Sequence, residues 1–238
     1  FPIGDDISAI VGAQGTDGSA MFTTACTYGG PSNTLDDCGN VQSAFVGNGT
    51  MFGASYAFSD EFTVAVGYAG DGKTATNGLM TEEGLDAVGI NAAYTTDTYG
   101  LSVTYASVET AHADGVAKGT FADTSVAFNG YFSPEGFPSI SAGYEFTDIG
   151  GVATTVDEKT SFFVGLQFDE VGPGSAGVAV GTQGSITEGN DEALMYEAYY
   201  SYPVNDGMTI TPLVYAKEAT SSTDEDETGI MVKTSFSF

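Results

Sequence analysis

The chain has 238 residues, with 32 Asp and Glu set against 5 Lys, no Arg and no Trp, and a formal net charge of −27. So one-sided a balance makes nucleic acid and anionic lipid surfaces poor partners and departs from the mixed charge of a soluble domain. Mean hydropathy is close to zero and no run of about 18 apolar residues occurs, so any membrane this chain crosses must be crossed by strands. The 33 Gly and 13 Tyr favour β structure with tight turns and amphipathic aromatic edges.

Phe1 opens the chain without an initiator Met and in mid-pattern, as in a processed chain or a part of something longer. The first alternating run is expected over residues 7–14. Next comes a Gly/Asn/Asp-rich stretch containing Cys26 and Cys38, which reads as a loop closed by a disulfide in an oxidising compartment, or as two reduced thiols. Closing a loop of about 13 residues would remove roughly 3 kcal/mol of unfolded-state entropy. This connection is longer and richer in small residues than the others. It either folds inward as a constriction or lies outside as a stapled surface loop. Residues 1–48 therefore form one unit, a first strand plus the disulfide loop, and residues 49–238 a second, built of hairpins.

From Thr50 onward a hairpin unit repeats. Runs at 51–58 and 62–69 alternate, with Phe52, Ala54, Tyr56, Phe58, Phe62, Val64, Val66 and Tyr68 on one face and small or polar residues on the other. The pattern returns at 87–94 with 99–107, 124–132 with 137–147, 161–168 with 176–181, and 193–202 with 208–217. A last run, 229–238, brings the expected total to about twelve strands. Connections starting at Ser59, Thr95, Ser133, Asp169 and Pro203 are short, whereas 70–84, 108–120, 148–159, 182–191 and 218–228 are long and polar. Strict short-long alternation is the habit of outer-membrane barrels, with turns facing the periplasm and loops facing outside. Aromatic residues flank the short turns, including Phe58, Phe62, Tyr94, Tyr99, Phe132, Phe137, Phe168, Tyr200 and Tyr202, as a periplasmic girdle would require. The final run alternates Ile230, Val232, Thr234, Phe236 and Phe238. The expected fold is all-β, an antiparallel transmembrane β-barrel of about twelve strands, or such strands as a part of a barrel of about 14–16.

Several short stretches carry a family resemblance: Phe-Pro-Ile-Gly-Asp-Asp-Ile-Ser-Ala-Ile-Val-Gly at the start, Pro-Ser-Ile-Ser-Ala-Gly-Tyr from Pro138, and Phe-Val-Gly-Leu-Gln-Phe from Phe163. Gly-Val-Ala-Val-Gly from Gly177, Met-Thr-Ile-Thr-Pro-Leu-Val from Met208 and Met-Val-Lys-Thr-Ser-Phe from Met231 extend it. Together they resemble the barrel region of cyanobacterial outer-membrane porins, a group described as carbohydrate-selective or iron-uptake porins. The resemblance implies a water-filled channel, a homotrimer, contact with outer-membrane lipid and lipopolysaccharide, and no cofactor. Members carry an N-terminal S-layer-homology domain that binds the cell wall. No such segment precedes Phe1, so wall binding is not expected of these residues, and the first strands of the family's larger barrel are expected to be missing.

The alternation turns Asp123, Glu145, Glu197, Lys217 and Lys233 inward. Charges within a strand are tolerated on the lumen face, where opposed acids and bases either select solutes or pair to rigidify the wall. Catalysis finds little support: His112 is the sole histidine and sits in a loop, without the base held beside a nucleophile that hydrolysis requires. Thr-Asp-Glu-Asp-Glu-Thr from Thr223 lacks the spaced ligands and turn glycine of an EF-hand and reads as a solvated tip. No metal site is expected. Dense carboxylates at Asp114, Asp157, Glu158, Asp191, Asp224, Glu225, Asp226 and Glu227 make a cation-preferring mouth the expectation, a structural or adhesive barrel with a plugged lumen being the alternative.

Overall fold

The computed structural model of the chain describes residues 1–13, 17–45, 50–70, 84–109, 122–150, 156–221 and 224–237. Among them all regular structure is strand. The elements are β1 (Pro2–Ile3), β2 (Ile7–Gly12), β3 (Thr50–Ala57), β4 (Phe62–Gly70), β5 (Asp86–Thr95), β6 (Tyr99–Glu109) and β7 (Ala122–Phe132). They continue with β8 (Ser139–Asp148), β9 (Glu158–Val171), β10 (Gly174–Thr182), β11 (Ile186–Thr187), β12 (Leu194–Asn205), β13 (Met208–Lys217) and β14 (Glu227–Phe236). Each strand pairs antiparallel with the next, except that β11 pairs with the start of β9 and β10 continues into β12. Among the described residues no pairing joins the β1 end of this sheet to β14. With β1 and β11 at 2 residues each, the long strands are the twelve that the alternation predicts.

The faces of the sheet are inverted relative to a soluble protein. On β8, Ser139, Ser141, Gly143, Glu145 and Thr147 are buried while Ile140, Tyr144 and Phe146 are exposed. On β6, Ser102, Thr104 and Ala106 are buried while Tyr99, Leu101, Val103 and Tyr105 are exposed. An exposed apolar face this continuous demands an apolar solvent, which is what lipid supplies to a strand wall. Tyr68, on that face, is buried nonetheless: Phe52 stacks on it at 4.9 Å and its hydroxyl bonds Asp86.

Antiparallel succession puts the short connections at one rim and the long ones at the other. Asp60 and Asp224 thus lie at opposite rims, and Met208 pairs with Phe236, which sets the chain's last strand down at the short-turn rim. Phe238 lies outside the described residues, as do Gln14, His112, Asp114 and Thr223. Aromatic residues cluster at the short-turn rim, with ring centroids 5.4 Å apart for Phe58 and Phe62 and 5.9 Å for Tyr94 and Tyr99.

Two connections are tighter than expected. β9 runs on to Val171, beyond Asp169, because Gly172 adopts a left-handed φ of 63° and closes a two-residue turn with Pro173. β12 runs through Pro203 to Asn205, where a register shift accommodates the proline's missing N–H.

If the exposed face meets lipid, Val103→Arg should destabilise the membrane-inserted protein by about 2–4 kcal/mol, with Val103→Leu nearly neutral. Urea unfolding from lipid vesicles measures this, and equal stability of the two variants would refute the orientation of the sheet.

Candidate functional site

The polar face of the wall is covered by residues 17–45, the segment between β2 and β3. Its outbound leg is extended and crosses the strands. The amides of Thr23, Ala25 and Thr27 donate to Asn91 Oδ1 on β5, Ser102 Oγ on β6 and Ser141 Oγ on β8, each at 2.9 Å. The Gly29 amide donates to Gln167 Oε1 on β9 at 3.4 Å. Every second amide therefore meets a side-chain oxygen of the wall. A chain crossing a lumen has no neighbouring strand to pair with, and its buried N–H groups must find partners elsewhere. Asn91 also returns a bond, donating from Nδ2 to the Thr23 carbonyl at 3.1 Å.

At the far end the Tyr28 ring packs on Phe163 and Tyr199, with centroids 5.2 and 5.6 Å away, and its hydroxyl donates to Glu197 Oε1 at 2.7 Å. Burial, reinforced by the Glu197 carboxylate, raises the Tyr28 hydroxyl well above the ordinary range, so it stays a donor. Leu35, Cys38, Ala179, Met195 and Leu213 complete this cluster.

A disulfide joins Cys26 to Cys38, with Cα atoms 6.5 Å apart, and ties the outbound leg to the returning one. Cys38 and Gly39 are both left-handed, with φ of 55° and 86°, which turns the chain back toward the wall. The Cys38 carbonyl accepts from Asn129 Nδ2 at 2.9 Å and lies so close to Gly143 that a Cβ there would stand 1.9 Å from it. The Gly39 carbonyl accepts from Ser161 Oγ at 2.8 Å. Glu145 then receives two amides, Gln42 at 2.7 Å and Ser43 at 2.8 Å, one on each carboxylate oxygen. Phe45 closes the segment, packing edge-on to Phe22 and against Met51, Ala69 and Ala87.

All five charged residues expected to point inward lie on this inner face, in different surroundings. Glu145 is 0% exposed and Glu197 4% exposed, both beneath the segment and bonded to it. Asp123 pairs with Lys159 at 3.4 Å and accepts the Gly150 amide at 3.2 Å. Lys217 lies over the Tyr215 ring at 5.3 Å, and Lys233 is exposed, its charge acting on Asp36 of the segment. Asp157, Glu158, Asp191 and residues 224–227 are exposed at the long-connection rim. Among the described residues no group of three or more His, Cys, Asp or Glu is arranged to hold a metal. Sequence reasoning missed the uncharged grip, Asn91, Ser102, Asn129, Ser141, Ser161 and Gln167. Their only signal was a polar residue at an inward position of an otherwise small-residue face.

No family model matches the sequence, and no curated protein matches it. Solved structures do resemble the fold. The anion-selective porin from Comamonas acidovorans is 14% identical with a TM-score of 0.63, covering 87% of this chain and 63% of its own. The chain thus spans under two thirds of that porin. The outer-membrane protein OmpT of Vibrio cholerae, in a form with one loop deleted, is 11% identical with a TM-score of 0.63, covering 98% of this chain and 76% of its own. A mutant of the porin of Rh. blastica is 17% identical with a TM-score of 0.58, covering 98% and 74%. The fold is that of a porin-type β-barrel.

Replacing Glu145 by Gln keeps the shape but sets an NH₂ against one of the segment's amides. The expected cost is about 3 kcal/mol, since a hydrogen bond to a charged acceptor is lost at a buried site. Chemical unfolding in detergent micelles tests it, and a cost below about 1 kcal/mol would show that Glu145 does not hold the segment. Mass analysis under non-reducing conditions should find the chain lighter than its reduced form by two hydrogens. Thiol labelling of both cysteines in unreduced, denatured protein would contradict the bond.

Proposed function

We propose that the chain forms part of the wall and the constriction of an outer-membrane porin, a water-filled channel for passive diffusion of small solutes and ions. The observation that carries this reading is the segment 17–45, held along the polar face of an apolar-outside barrel by side chains of six strands. Residues 1–48 then supply the first strand and the constricting loop, and 49–238 the hairpins of the barrel. Asp123, Lys217 and Lys233 line the path, and Glu145 and Glu197 fix the segment that narrows it. The likeness to porin structures supports the same role, and the sequence resemblance supports a cyanobacterial outer membrane, a homotrimer and contact with lipid and lipopolysaccharide. Carbohydrate and iron as solutes rest on that resemblance alone, and no reaction chemistry or cofactor belongs to the proposal.

The Comamonas porin is named anion-selective. This chain should prefer cations, because 32 carboxylates face 5 lysines and an acidic mouth raises the local cation concentration. A second reading, a structural or adhesive barrel with its lumen plugged, is favoured by the density of bonds holding the segment. Single-channel recording in a planar bilayer separates the two, since a plugged barrel passes no current. In a salt gradient the reversal potential should report cation preference at low salt, fading as salt rises past 0.1 M, where the screening length is about 10 Å. Anion preference at low salt would mean that Lys217 and Lys233 outweigh the acidic mouth.

A further inference from the structure

The porin reading leaves one cavity on the inner face unaccounted for, a space of about 330 Å³ between residues 33–41 and the long-connection rim of the wall. Its lining includes Asn33, Thr34, Asp37 and Val41 of the segment, Gln183 just beyond β10 and Lys217 at the end of β13. The volume equals about eleven water molecules, at about 30 Å³ each. One charge of each sign borders it, and the two are kept apart: among the described residues neither Lys217 nor Asp37 forms an ion pair. Lys217 lies over the Tyr215 ring, and Glu227, opposite it on β14, accepts the Tyr215 hydroxyl at 2.7 Å instead. Asp37 accepts the Gly39 amide at 3.2 Å, which fixes its carboxylate to the turn of the segment. Each charge is tethered to its own element, and both border the same space.

We propose that this cavity is a binding subsite for a small zwitterion of the α-amino-acid class, its carboxylate set toward Lys217 and its ammonium toward Asp37. Asn33 and Thr34 add neutral hydrogen-bonding groups, and Val41 an apolar patch for a short aliphatic side chain. A simple anion is attracted by Lys217 and repelled by Asp37, and a simple cation meets the reverse, so each forfeits what a zwitterion gains from both. A zwitterion also carries no net charge, so the acidic mouth neither repels nor concentrates it, and its selection falls to a site of this kind. Contacts of this number suit a waypoint, where a solute must bind well enough to enter and weakly enough to leave. The site deepens the porin reading, on which its role as a waypoint rests.

Burial pushes the Asp37 carboxyl up to about 6, Asp36 and Glu145 adding to the rise and the Gly39 amide opposing it. The charges around it are Asp36 and Asp17 on its own segment, Glu145 on β8 and Lys217 on β13, with Lys233 of β14 acting on Asp36. A raised carboxyl is charged above that pH and neutral below it, so the hold on the ammonium should be present above about pH 6 and lost as pH falls through it. A simple carboxylate should show the opposite trend, since it gains as Asp37 loses its charge.

L-alanine is the probe, with acetate and methylammonium as its two halves, each titrated into the barrel folded in detergent micelles and followed by saturation-transfer NMR. L-alanine should bind about tenfold more tightly than either half, as a second charge-assisted contact implies. Lys217→Met keeps the stem over Tyr215, and Asp37→Asn keeps an oxygen for the Gly39 amide, so both spare the fold. Each should weaken L-alanine binding about tenfold, to the level of a single half, and Asp37→Asn should also remove its pH dependence. L-alanine bound no better than acetate or methylammonium would overturn the site. So would binding that either variant leaves undiminished, or a pH dependence that survives Asp37→Asn. Bilayer conductance of the same preparations is read separately. A barrel that binds L-alanine but passes no current removes the channel reading and keeps the site, whereas a conducting barrel without L-alanine binding does the reverse.

Discussion

Every feature of the inner segment follows from one constraint: a peptide chain laid across strands cannot pair with them as another strand would. Its amides still need partners once buried. The wall supplies them as side chains, one for every second residue over Thr23, Ala25, Thr27 and Gly29. Alternation does double service here. In the wall it sends Ser, Asn and Gln inward and Leu, Val and Tyr outward, and in the segment it aims successive amides at the wall.

The same constraint explains where the wall is smooth. A side chain at Gly143 would meet the Cys38 carbonyl, and one at Gly67 would come within 2.0 Å of the Gly18 carbonyl. Close approach of backbone to wall shortens the reach demanded of Asn129 and Ser161, so the glycines and the polar grips act together. The disulfide adds a link along the segment itself, pinning the outbound leg to a left-handed turn at Cys38 and Gly39 that favours glycine. An anchor at every second residue of the outbound leg and a covalent tie leave the segment few alternative positions on the wall.

The wall was legible because its signal is periodic. Alternation over β3 through β14, the aromatic pairs at Phe58 and Phe62 or Tyr94 and Tyr99, and the unequal connections each repeat along the chain, so single ambiguities average out. Strand ends were less legible: Asp169 and Pro203 are turn-forming residues by type, yet a glycine turn at Gly172 and a register shift at Pro203 carry the strands past them. Residues 17–45 have no period to betray them. Their sequence shows small and polar residues that suit an exterior loop equally well, and the inward side chains that fix them to the interior lie far along the chain.

The carboxylates divide by partner rather than by position along the barrel. Glu145 is consumed by two amides, Glu197 by a tyrosine hydroxyl on one oxygen, and Asp123 by Lys159 and an amide. Such groups hold structure, but only Asp123 meets an opposite charge; neutral donors leave the charge of Glu145 in place, and it still acts on Asp37. The rim acids have partners too, the Ala219 amide on Asp226 and the Tyr215 hydroxyl on Glu227, but they are exposed, so screening governs how far their charge acts. A net charge of −27 is therefore not one uniform field. Under the covering segment the carboxylates are fixed by particular donors, whereas those at the long-connection rim face water.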